Sequence, residues 1–234
     1  MSYFSNGEPF LNPDLAPMIR ESTEAGVFPV ISTNLSFSLG EARIDEILTS
    51  GAGIICCSID GVREETYRRY RVGGRFDLAF ANMRRLVERR RELGLEAPLI
   101  EWRFLVFEHN EHEIAEAGRL AAEIGVDILE FFRGNAAPAG SGAAVVESRA
   151  VIPGPAGPAL DRARAAASGP VRARLAAGDL RHPPERPVAE AGRCDWLYLG
   201  SMIYPDGSVA PCCLASRPEH DLGRLSVGDG FLAV

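Results

Sequence analysis

The stretch Gly53–Gly61, GIICCSIDG, decides the fold. From Gly53 to Ile59 it is almost continuously apolar, as a strand buried within a parallel sheet requires. It then ends in Ser58-Ile59-Asp60-Gly61, a polar turn signal. Alternation along the strand sends Ser58 and Asp60 to one side and Cys57 to the other.

The same pattern repeats on either side. Val27–Ile31 is β-rich and leads into Ser32-Thr33-Asn34, and Gly40–Thr49 follows with Ile44, Ile47 and Leu48 on one helical face. Glu64–Tyr70 and Phe76–Leu93 read as helices around a Gly73-Gly74 break, with Arg84, Arg85, Arg89, Arg90 and Arg91 as a solvated face. Leu99–Phe107 and Asp127–Phe132 read as strands, separated by an amphipathic helix over Ile114–Ile124. Strand and helix therefore alternate, with polar residues at successive strand ends, the edge where ligands bind in parallel α/β proteins. Asn34, Ser36 and Asp60 are also good helix N-caps, so either ligand contact or capping accounts for them.

Upstream, Asn6-Gly7-Glu8-Pro9 marks a turn that arrives too soon for a full preceding strand. A helical pattern then runs from Pro13 to about Ala25. Glu8 reads as a solvated loop carboxylate unless a ligand claims it. Arg103, mid-strand among apolar residues, needs a partner. It forks onto a ligand carboxylate or pairs with Glu101 or Glu130. His109 and His112 have metal-compatible spacing but stand among glutamates, which favours a plain surface. Cys56 and Cys57 lie inside the strand and read as core.

Downstream of Phe132, Ala136–Arg193 changes to an Ala, Pro, Gly, Ser and Arg composition that reads as a linker with one possible helix. CDWLYLGSMIYPDGSVAPCC, Cys194–Cys213, follows. Its Tyr204–Ser208 segment has the residues of a hairpin turn, with Leu199–Ile203 and Val209–Ala210 as the paired strands. That turn carries Cys212 and Cys213 back toward Cys194. The grouping suits iron–sulfur or zinc ligation, and equally a disulfide or buried thiols.

With 234 residues, an apolar fraction of 46% and 24% charged residues, the chain has the composition of a soluble globular protein. A net charge of −7 without an aromatic-interleaved basic cluster argues against nucleic acid as a partner. The absence of lysine rules out a lysine Schiff base. No signal peptide or membrane-length apolar run is present, and five cysteines without a secretion signal point to the cytoplasm.

Cys-Asp-Trp, an apolar strand, Pro-Asp-Gly and Pro-Cys-Cys together resemble the start of a SPASM or twitch domain, the auxiliary-cluster module of radical S-adenosylmethionine (radical SAM) enzymes. Asp221–Leu225 resembles the Gly-Asn-Leu segment that follows in that family, and YRRYRVGGRFD resembles a segment common among its members. NGEPFLNPDLAPMI resembles the family's Gly-Gly-Glu-Pro segment, with Asn6 in place of the first Gly. The segments ISTN and SIDG resemble its third and fourth strand ends.

The resemblance implies an α/β fold: a truncated radical SAM-type partial (β/α)6 barrel over residues 1–135, with about five strands visible. The linker at 136–193 and an incomplete hairpin-based SPASM/twitch module at 194–234 complete the expectation. Gly7, Glu8, Pro9, Thr33, Asn34, Ser58, Asp60 and Arg103 are then expected to bind S-adenosylmethionine (AdoMet), and Cys194, Cys212 and Cys213 an auxiliary iron–sulfur cluster.

Such enzymes cleave AdoMet to a 5′-deoxyadenosyl radical and modify a peptide, protein or small molecule, with flavodoxin or ferredoxin as electron donor. No cysteine precedes Cys56, so the family's Cys-x-x-x-Cys-x-x-Cys motif is not in this sequence. The expectation is therefore a fragment, truncated at both ends, of a longer enzyme. The rivals are a non-catalytic barrel that binds AdoMet or peptide, and a structural zinc at the C-terminal cysteines completed by His220.

Overall fold

The structure, a computed structural model, describes residues 2–3, 7–135, 145–154, 156, 202–203, 208–210 and 223–224. The chain divides into two compact units, Met1–Asp179 and Leu180–Val234.

The first unit is built on a five-stranded sheet of β1 (Ser2–Tyr3), β2 (Val30–Thr33), β3 (Ile54–Ser58), β4 (Leu99–Val106) and β5 (Ile128–Arg133). Every pair is parallel, and spatial order follows sequence order without reversal. The sheet is thus wound in one direction, unlike a doubly wound sheet with its switch point. The crossovers carry α1 (Leu15–Glu24), α2 (Glu41–Leu48), α3 (Glu64–Tyr70), α4 (Phe76–Glu92) and α5 (Ile114–Ile124).

Helix periodicity sets the core. In α4, Phe76, Ala79, Met83, Leu86 and Val87 are buried, and in α5 Ala117, Ala121 and Ile124 are. Such spacing gives each helix one apolar stripe. These stripes share a cluster with Ile31, Ile55, Cys57, Ile100, Trp102, Phe104 and Leu129 of the sheet. Gly125 ends α5 at φ 80°, and a side chain there would meet the Arg91 guanidinium at 2.9 Å.

The opposite face of the sheet has a different composition. In-register residues of parallel neighbours point the same way, so Ser32, Cys56 and Glu101 form one row and Ser58, Arg103 and Glu130 the next. On the same face Ile54, Leu99 and Ile128 form a small buried apolar cluster, with Ile128 in register beside Glu101. The sheet is therefore apolar toward its helices and polar on the other side.

Several boundaries differ from the sequence reading. The strand read at Val27–Ile31 begins at Val30, because Pro29 has no N–H to give the ladder. A two-residue strand, β1, fits ahead of Gly7 and pairs with Val30 and Ile31. Arg90 is not on a solvated face. It is buried and forks onto Asp127, whose Oδ2 also accepts from Ile100 N at 2.8 Å, and it donates to Pro98 O at 2.8 Å.

The region read as a linker is partly docked. Leu129 and Ala156 exchange backbone hydrogen bonds at 2.8 and 3.0 Å, and Glu108 N donates to Val146 O at 3.0 Å. The Leu129–Ala156 pair covers part of the free edge of β5, which would otherwise present unpaired backbone groups.

The second unit contains an antiparallel sheet of β6 (Met202–Ile203), β7 (Ser208–Ala210) and β8 (Gly223–Arg224). Met202 lies opposite Ala210, and Ile203 opposite Val209. Cys194, Cys212, Cys213 and His220 fall outside the described residues.

The Arg90–Asp127 pair is the most exposed to mutation. Arg90→Met leaves the Asp127 carboxylate buried without its cation, so urea unfolding should show a loss of about 3–5 kcal/mol. A loss below about 1 kcal/mol would mean the pair is solvated.

Candidate functional site

The carboxyl edge of the sheet starts with Gly7, Glu8 and Pro9. Gly7 has φ +109°, a left-handed value that favours glycine, and its backbone is open. Pro9 opens a short 3-10 turn over Pro9–Leu11, capped by Glu8. The Glu8 carboxylate joins two loops, accepting from Phe10 N at 3.1 Å and from Asn34 N at 2.8 Å. Burial pushes its pKa above the ordinary value, against the Asn34 N–H, the Thr33 hydroxyl, the Phe10 N–H and the Arg71 charge.

The loop after β2 is fixed by its own side chains. The Thr33 hydroxyl accepts from Leu35 N at 3.2 Å, and Asn34 Oδ1 from Ser36 N at 2.9 Å. Asn82 of α4 donates to Leu35 O and Phe37 O, both at 2.9 Å, which anchors Leu35 at φ 54°. Arg43 of α2 holds the other loop by its carbonyls, donating to Phe10 O, Asn12 O and Pro13 O. Thr33 is buried, so its part here is to position the loop.

The end of β3 is tied more tightly still. Asp60 is fully buried, with Oδ1 accepting from Leu105 N at 2.7 Å and Oδ2 from Arg71 Nε at 2.6 Å. Burial raises its pKa, opposed by Arg71 and the Leu105 N–H. Asn110 donates to Asp60 O and Leu105 O, and Glu113 accepts from Val62 N and the Thr66 hydroxyl. Gly61 is required by close approach, since a Cβ would stand 2.8 Å from Tyr67 N. Asp60, expected as a ligand contact, spends both oxygens on the fold and leaves Arg71, 28% exposed, at the edge.

On the polar face, the Ser32 and Ser58 hydroxyls meet at 3.0 Å. Cys56 donates to Glu101 Oε2 at 3.3 Å. Arg103 takes the structural alternative: its Nε and Nη2 both reach Glu101 Oε1 at 2.8 Å, and its guanidinium lies 5.1 Å from the Phe132 ring centre. Beside it, Glu130 is half-buried, and burial and then the Glu101 charge raise its pKa against the pull of Arg103.

These donors and acceptors suit AdoMet. Glu8 offers lone pairs to an ammonium, Arg71 a fork to a carboxylate, and Ser32 and Ser58 hydroxyls to a sugar. They do not suit a cluster. Cys56 and Cys57 point to opposite faces, and burial raises both pKa values. Among the described residues, no three His, Cys, Asp or Glu side chains gather as a metal cage. The His109 ring nitrogen lies 3.2 Å from Thr66 O, while His112 is exposed. Also among the described residues, no helix is long and apolar enough to cross a membrane.

Sequence reading missed Arg43, Arg71, Asn110 and Glu113. Arg71 had a signal in its place before Gly73-Gly74. Glu113 had none, because Glu108 and Glu111 beside it look the same in sequence.

No family model matches the chain. It is 29% identical over 224 residues to the PqqA peptide cyclase of Ruegeria pomeroyi, which covers 93% of this chain and 56% of that protein. It is 28% identical over 129 residues to the AdoMet-dependent heme synthase of Methanosarcina barkeri, covering 55% of this chain and 35% of that one. The chain thus spans only part of the length of both relatives. In fold it resembles Streptococcus suis SuiB bound to precursor peptide SuiA, with a TM-score of 0.56 at 14% identity over 97% of this chain and 52% of that one. A second SuiB structure gives 0.54 at 14% identity, over 88% of this chain and 48% of that one.

Two outcomes test this geometry. Glu8 has a folded-state pKa above its unfolded one, so its contribution to stability is fully present below the unfolded value and is lost as pH rises through the folded one. The stability of wild type relative to Glu8→Gln should therefore fall in urea melts as pH rises above the ordinary glutamate range. A flat or rising difference would contradict the burial of Glu8. Separately, iodoacetamide at about pH 8 should label neither Cys56 nor Cys57 in the folded protein, and both after unfolding, by peptide mapping. Labelling of either in the folded state would mean that its strand is open to solvent.

Proposed function

We propose that this chain carries the AdoMet-holding edge of a radical SAM enzyme that modifies a peptide. The observation that carries the AdoMet part is Glu8, a carboxylate seated between the first two strand-end loops with the Arg71 charge acting on it. A peptide substrate is supported by the similarity to PqqA peptide cyclase and by the fold shared with SuiB, whose structure holds its precursor peptide.

In this reading, the free lone pairs of Glu8 and the open Gly7 backbone receive the AdoMet ammonium. Arg71, held by Asp60, takes the carboxylate, and Ser58 with Ser32 takes the ribose. Pro9 and Asn34 shape the walls of that pocket. Arg103 acts through Glu101 on the polar face, where the substrate lies. Once bound, AdoMet would supply the chemistry of hydrogen-atom abstraction from the substrate.

The described cysteines do not gather as ligands for an iron–sulfur cluster. Cys194, Cys212 and Cys213 are the ligands proposed for an auxiliary cluster, and flavodoxin or ferredoxin the electron donor, in the cytoplasm. The inert setting of Cys56 and Cys57 favours a second reading, a barrel that binds AdoMet or peptide without cleaving it.

Isothermal titration separates site from scaffold. Arg71→Lys keeps a cation for Asp60 but loses the fork, so AdoMet affinity should fall by about tenfold. Unchanged affinity would remove Arg71 from the site. No AdoMet binding by the wild-type chain would overturn the reading itself.

A further inference from the structure

The polar face contains one charge that the fold does not match. Across β3, β4 and β5 it carries Cys56, Ser58, Glu101, Arg103 and Glu130, and Arg103 is the only cation of these strands on that face among the described residues. That cation is already committed. Its Nε and Nη2 both bond Glu101 Oε1, and its face lies against Phe132. The second oxygen of Glu101 takes the Cys56 thiol at 3.3 Å. Glu130 sits beside Arg103 in register, yet it makes no hydrogen bond and no ion pair among the described residues.

A carboxylate in such a position is costly. Half-buried and next to Glu101, it either binds a proton or meets a cation. The two rows together carry two carboxylates and one guanidinium, an excess of one negative charge. Glu101 cannot turn to another partner without releasing both Arg103 and Cys56. Glu130 is the acceptor left over, only half-buried and without a hydrogen bond or ion pair among the described residues.

We infer that the Glu130 side of the polar face is a subsite for a cationic side chain, guanidinium or ammonium, of the peptide substrate. Glu130 accepts the charge, while Glu101 holds Arg103 away from it. The subsite acts by recognition alone and forms no bond. It names the substrate side chain for the site proposed above, and so rests on that reading.

The probes are N-acetyl-arginine amide and its neutral counterpart N-acetyl-citrulline amide, titrated into the full chain and followed by NMR at the Glu130 amide. The arginine probe should bind more tightly than the citrulline probe by about fivefold, the worth of one partly screened ion pair. Glu130→Gln should abolish that preference, and Glu130→Asp, which keeps the charge, should retain it. Equal binding of the two probes, no shift at Glu130, or an unchanged preference in Glu130→Gln would overturn the subsite. Competition by AdoMet would also overturn it, because the cation seated there would then be the cofactor's own. AdoMet binding without any preference between the probes defeats only this inference. Absence of AdoMet binding defeats the reading beneath it.

Discussion

The Asp60 carboxylate is the constraint on which the rest of the site depends. A fully buried acid is tolerable only if its oxygens are satisfied, and here one takes the Leu105 N–H and the other the Arg71 guanidinium. With Asn110 bonding the carbonyls of Asp60 and Leu105, the ends of β3 and β4 are fixed as one piece. Arg71 is thereby fixed too, and its charge is brought to bear on Glu8. A residue expected to touch a ligand directly acts instead by aiming another that can.

The second organising feature is the unequal treatment of the two sheet faces. Toward the helices the sheet presents Ile31, Ile55, Cys57, Trp102 and Phe104, and dispersion and burial hold the layers together. On the other face the same strands place charge and hydroxyls beside a small apolar cluster. A sheet that buried both faces purely for stability would not carry an arginine and two glutamates there. The cost in desolvation is concentrated on the face that meets a ligand in the proposed function.

Much of the fold was legible because its signals are local. The spacing of Ile44, Ile47 and Leu48, and of the apolar residues in Ile114–Ile124, fixes those helices by periodicity alone. The strand of Gly53–Ile59 was equally clear, although its apolar run concealed that Cys56 faces a polar row. What stayed hidden depends on partners distant in sequence. Arg90 looks like its exposed neighbours until Asp127 arrives, and Glu113 gains its role only where Val62 and Thr66 pass. For Arg103 the alternatives were visible, and only the geometry around Glu101 chose between them.

Because each strand of the parallel sheet lies beside its predecessor in the chain, no pairing waits for a distant segment. A strand can dock as soon as the helix before it has emerged, and each addition extends a surface that is already formed. The unit can therefore be built strand by strand at one growing edge, although each parallel pair must first close its crossover, which is slow. The segment that reaches Ala156 closes that edge last, so during synthesis β5 is the strand most open to mispairing with another chain.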